Sequence, residues 1–249
     1  MKYSLVILLT CLISPLLAQN FSQSGSTEAM AFYSKAEAAF EQGKVPEAKA
    51  FCKQAIQTDP AYYQAFNTLG KYHRESGELD SAAIAYQNSL KVFPRGLKAH
   101  QELAAIYQMN EEYEMAISQY RTLLQHFPGH PEAYYGMALV HYNQKQYLDA
   151  IQASEMAMRI YLNAESNKAA ADARMLAGRS YLEIGEEKKA IKYFKASRKQ
   201  LGDQAYFPYY LGLAHMKMGD KDKANDYLAM AELKGFKIPA YVKHQLKQL

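Results

Sequence analysis

Cysteine is nearly absent from this chain of 249 residues, which holds two. Cys11 lies in an apolar N-terminal stretch that reads as a leader, so the mature protein keeps Cys52 alone and cannot form an intramolecular disulfide. Long runs of Val, Ile and Thr with period two are also missing. The apolar residues recur instead at intervals of three and four, which excludes a sheet protein and predicts an all-α one. No Gly-rich phosphate loop and no cysteine pair is present. Nor is there an excess of either charge. Against 25 Asp and Glu stand 29 Lys and Arg, a formal net charge of +4, and acids and bases alternate over many segments, so no nucleic-acid partner is expected.

What the chain does have is a ruler of alanines. Ala48, Ala82, Ala116 and Ala150 fall 34 residues apart, and after a step of 40 residues Ala190 and Ala224 fall 34 apart again. A fixed period of this length is the mark of a helical repeat array. The second unit reads Phe66, Leu69, Gly70, His73, Gly77, Ala82, Tyr86 and Pro94. Unit 3 has Leu103, Ala104, Tyr107, Ala116, Tyr120 and Pro128, and unit 1 has Phe32, Ala36, Gly43, Ala48, Ala55 and Pro60. Units 4 to 6 are looser, keeping Tyr134, Ala138 and Ala150, then Gly178, Tyr181, Gly185, Ala190 and Phe194, then Leu211, Gly212, Gly219 and Ala224. This pattern resembles the tetratricopeptide repeat (TPR) family.

The resemblance implies a right-handed α-solenoid of about six helix-turn-helix units. The expected organisation is a signal peptide over 1–18, a short linker over 19–28, and repeats over 29–62, 63–96, 97–130, 131–170, 171–204 and 205–238. The fourth repeat carries the extra residues, near 161–170, as a longer connection or an extended helix. The segment 239–249 is expected to be a capping helix with Tyr241, Val242, Leu246 and Leu249 near one face.

Packing argues the same units. Where paired helices cross, side chains must be small, so Gly70, Gly178 and Gly212 are expected to meet Ala82, Ala190 and Ala224. Asp59-Pro60 reads as a helix start, and Gly43, Gly77, Gly185 and Gly219 as the breaks within pairs.

Met1-Lys2, the apolar stretch from Leu5 to Leu17 and Ala18 before Gln19 form a secretory signal with cleavage after Ala18. The stretch contains Pro15 and is shorter than the roughly 20 residues a spanning helix needs, so no transmembrane helix is expected in the mature chain. Leu8-Leu9-Thr10-Cys11 departs from a lipoprotein box at Thr10, which argues against anchoring at Cys11. The destination read from this leader is periplasmic, extracellular or otherwise at the cell envelope.

The repeat register removes most candidates for chemistry. His73, His141 and His215 share one repeat position, His100 takes the usual Trp position, and Cys52 stands where later units have Tyr86 and Tyr120; all read as packing residues. His126 and His130 are separated by Pro128-Gly129, which interrupts any helix that would align them on a metal. No catalytic residue, metal or cofactor is expected, and the chain reads as a scaffold rather than an enzyme.

Function is therefore expected on a surface. In the TPR family the inner wall is lined by the first helix of each pair. The resemblance then nominates Tyr33, Glu37 and Phe40 in repeat 1, Asn67, Lys71 and Arg74 in repeat 2, and Lys98, Gln101 and Gln108 in repeat 3. The later repeats contribute Tyr135, Leu139 and Tyr142, then Met175, Arg179 and Leu182, then Tyr206, Tyr209, Leu213 and Met216. This wall runs from polar and basic to aromatic. It implies a protein or peptide partner whose acidic or C-terminal segment docks near Lys71, Arg74 and Lys98 and continues over Tyr135 and Tyr142. The competing reading is a carrier that holds a small molecule, lipid or glycan on the aromatic part.

Overall fold

The computed structural model describes residues 25–249, so the expected signal peptide over 1–18 lies outside the described residues. The described chain is helical and divides into two compact units, one ending at Ala65 and one running from Phe66 to Leu249.

In the first unit, α1 (Thr27–Glu41) packs on α2 (Val45–Thr58), with Ala36, Ala48, Cys52 and Ala55 fully buried. Ser26 caps α1 by accepting the Ala29 N–H at 3.3 Å. Asp59 does not start the next helix, as its sequence context suggested. It ends α2, and its carboxylate accepts the Ala61 N–H at 3.0 Å and the Ser26 N–H at 2.8 Å. The short acidic side chain serves two loop donors at once, while Pro60 sits in the turn before α3 (Tyr63–Glu75).

The second unit continues with α4 (Leu79–Val92), α5 (Leu97–Met109), α6 (Tyr113–His126), α7 (Pro131–Asn143) and α8 (Tyr147–Asn163). After these come α9 (Asn167–Glu183), α10 (Glu187–Leu201), α11 (Tyr206–Lys217), α12 (Lys221–Leu233) and α13 (Ala240–Gln248). From α4 to α13 each helix packs on its chain neighbour, and α7 also touches α5 and α9. The irregular 40-residue step is taken up inside helices: α8 and α9 have 17 residues each, against 14 in α6 and 13 in α7. No hinge loop is inserted there; the connection is the short turn 164–166.

All six alanines of the ruler are at 0% exposure. The glycines work differently from the expectation. A Cβ at Gly70 would lie 3.0 Å from the Tyr86 ring, one at Gly178 2.8 Å from the Phe194 ring, and one at Gly212 2.7 Å from Leu228 Cγ. Each glycine thus makes room for the large residue one turn beyond the alanine rather than for the alanine itself.

Helix pairs close with one repeated turn. The residue that opens the second helix returns its N–H to a carbonyl five residues back, as in Glu78 to His73 at 2.9 Å, Gln146 to His141 at 2.8 Å and Asp220 to His215 at 3.0 Å. Two of these histidines also bond through Nδ1 to the side chains of the same partners, His73 to Glu78 and His141 to Gln146 at 2.7 Å, while His215 Nδ1 lies 3.3 Å from the Asp220 carboxylate without a hydrogen bond. They are latches across the turn as well as packing residues.

Candidate functional site

The first helices α7, α9 and α11 enclose an open cleft of about 260 Å³. From α7 come Tyr135 and Leu139; α9 contributes Asp172, Met175, Leu176 and Arg179; α11 contributes Tyr206 and Tyr210, and Phe236 closes one side. These residues share a wall because positions three and four apart recur on one helix face.

Arg179 is the most constrained charge in it. Its guanidinium carbon lies 4.4 Å from the Tyr142 ring centroid and 5.5 Å from that of Tyr210, and the hydroxyls of both tyrosines hydrogen-bond with its side chain. Its Nε is shielded from solvent and has no hydrogen-bond partner. Asp172 shares the cleft, and burial raises its carboxyl above the ordinary carboxylate range while Lys168 pulls it back. Tyr135 senses both charges: burial raises its pKa first, Asp172 raises it further, and Arg179 lowers it. The cleft therefore holds a cation and an anion on one helix with aromatic and aliphatic surface between them.

Of the wall positions named from sequence, Tyr135, Leu139, Met175, Arg179 and Tyr206 meet in this cleft, with Tyr142 against Arg179. The others serve elsewhere. Arg74 is held at 2.8 Å by Glu102, and Lys71 approaches Glu75 at 3.9 Å. Gln108 accepts the Tyr120 hydroxyl at 3.0 Å and reaches the Gly136 carbonyl at 3.5 Å. Asn67 is buried, whereas Lys98 is exposed and Gln101 half-buried. Tyr209 is a core residue, 7% exposed and stacked on Phe236 at 4.4 Å, and Met216 packs against the same cluster. In the N-terminal unit Tyr33 lies 5.3 Å from Tyr62, Phe40 is half-buried and Glu37 is exposed.

Asp172, Leu176, Tyr210 and Phe236 were not anticipated. Asp172 stands at the second position of the fifth repeat, the position that nominates Tyr206 in the sixth, so the register carried a signal for it. Phe236 follows the last paired helix, where the register offers no rule.

Cys52 is buried, and burial, with the charge of Glu37 added, pushes its thiol up to about 12. Such a thiol carries little nucleophilic thiolate near neutral pH. His130 Nδ1 lies 3.1 Å from the Glu132 carboxylate, and the His126 ring lies 6.2 Å from that of His100. Among the described residues, no group of three or more His, Cys, Asp or Glu is placed to hold a metal ion, and no helix is long and apolar enough to cross a membrane.

Family models of the tetratricopeptide repeat match residues 15–63 and 209–231, and the model of anaphase-promoting complex, cyclosome, subunit 3 matches residues 109–197. In these segments the chain is similar to tetratricopeptide repeat proteins. Solved structures agree that the fold is an all-α TPR solenoid. PilF of Pseudomonas aeruginosa superposes with a TM-score of 0.67 at 17% identity, over 89% of this chain and 97% of that one. YrrB, described as a TPR protein with an unusual peptide-binding site, gives 0.64 at 18% identity over 80% and 98%. MamA gives 0.62 at 20% identity over 70% and 91%. No curated protein matches the chain by sequence.

Proposed function

We propose that this TPR protein is a non-catalytic, exported scaffold that holds a segment of a partner protein in the cleft between α7, α9 and α11. The observation that carries the reading is the cleft itself, of about 260 Å³, open, aromatic and aliphatic, with opposite charges on α9. Adaptable Met beside Tyr suits a bound polypeptide. The likeness to YrrB, whose description names a peptide-binding site, supports a protein ligand. Export rests on the leader features of residues 1–18, and an envelope location follows from it.

The expected acidic segment is reassigned. Arg74 is engaged by Glu102, whereas Arg179 lines the cleft and has no carboxylate partner among the described residues, so the proposed docking centre moves from repeats 2 and 3 to repeats 4 to 6. Peptide-array binding by the full chain tests the site. Leu139→Glu places a charge on the cleft wall and should abolish binding, while Lys192→Glu on exposed α10 surface should leave it intact; equal binding by both variants sinks the reading. A small molecule that co-purifies in native mass spectrometry and is lost in Leu139→Glu would favour the carrier reading instead. N-terminal sequencing of the mature protein from its own cell should begin at Gln19.

A further inference from the structure

We propose that the cleft selects a dipolar peptide segment, one whose carboxylate seats on Arg179 and whose ammonium or guanidinium faces Asp172. The inference rests on the cleft being a peptide site and adds which peptide chemistry it takes.

Arg179 and Asp172 are seven residues apart on α9, two turns of one face, which at the helical rise places their backbones roughly 10 Å apart. Both line the cleft, and Met175 and Leu176 lie between them in the chain and on the same wall. Among the described residues neither has an ion-pair partner: Arg179 meets the Tyr142 and Tyr210 side chains, which are neutral, and Asp172 feels Lys168 through space only. The Tyr142 and Tyr210 hydroxyls engage part of its donor set without bringing a carboxylate's charge, and a guanidinium has five N–H donors, so a carboxylate can still be received there. Three residues of extended or polyproline-like chain also span about 10 Å, so one segment can meet both charges while a side chain between them rests on Met175 and Leu176. A ligand lacking either group leaves a part-buried charge uncompensated, which makes the pair a filter as well as an attraction.

The test uses the full chain and synthetic peptides with a central Leu, a Glu and a Lys, the separation of the charged residues being varied. Affinity should peak near a separation of about three residues, and Glu→Gln in the peptide should weaken binding about tenfold. Arg179→Gln should erase the preference for Glu over Gln, Asp172→Asn the preference for Lys over Gln, and Arg179→Glu should favour peptides with Lys in place of Glu. The two single variants act on separate charges, so one that fails to fold leaves the other as a test. Peptides that need Leu139 yet ignore peptide charge and spacing would overturn this inference and leave the scaffold reading standing. Peptides indifferent to Leu139→Glu would overturn both.

Discussion

The turn inside each helix pair places one residue in the left-handed region, at Gly43, Gly77, Gly185 and Gly219 with φ of 75°, 75°, 78° and 76°. The equivalent residues of repeats 3 and 4 are Glu111 at 60° and Lys145 at 61°. A side chain in that region costs about 1–2 kcal/mol, whereas glycine gives back roughly 0.5–1 kcal/mol of extra chain entropy on folding. Both side chains are exposed, so little packing is lost on their removal. Glu111→Gly and Lys145→Gly should therefore each stabilise by about 0.5–1 kcal/mol, read as a higher denaturation midpoint at unchanged slope. A lower midpoint would show that the turn is held by something other than this backbone conformation. Gly77→Ala is the mirror experiment and should destabilise by about 1 kcal/mol.

Between helices, close approach decides the outcome. Gly136 on α7 faces Tyr120 on α6, and a Cβ there would collide with the hydroxyl-bearing edge of that ring. Tyr120 is 6% exposed and its hydroxyl is bonded to Gln108, so it has no cheap retreat. Alanine at a helical glycine ordinarily gains about 1 kcal/mol of propensity, but overpacking costs about 1–3 kcal/mol and the lost hydrogen bond roughly 1 more. Gly136→Ala should thus destabilise by about 1–3 kcal/mol in thermal or chemical unfolding, and a rise in midpoint would mean the helices separate easily. The helix pairs were legible in sequence because alanine at a crossing is recognisable by type and period together. The cleft was legible in part: Tyr135, Met175, Arg179 and Tyr206 follow from register, since register fixes which face a residue occupies. It says nothing of rotamers or of partners across helices. Hence the histidine latches, the double duty of Asp59, the contact of Tyr210 with Arg179 and the loss of Tyr209 to the core appear only once side chains are placed.

A repeat stack is stabilised by nearest-neighbour interfaces, so damage at one end should fade with distance rather than unfold everything. The C-terminal end offers a clean case. Val242 of α13 is fully buried and Ile238 nearly so, in a cluster with Tyr209, Leu228 and Ala231, and Tyr209 in turn stacks on Phe236 at the cleft. Removing residues 239–249 deletes α13 but no cleft side chain. The uncovered Tyr209 and Leu228 then add apolar surface to an end of the chain where Leu233 is already 89% exposed, which favours self-association. The truncated chain should show concentration-dependent oligomers in light scattering. Amide exchange should accelerate in α11 and α12 and stay unchanged in α5 and α6. Peptide affinity should also fall, because Phe236 loses the packed surface that holds Tyr209 beneath it. Uniform exchange changes throughout would instead show one cooperative block. A truncated chain that stays monomeric and binds normally would show that α13 is not the cap and that Phe236 holds its place without it.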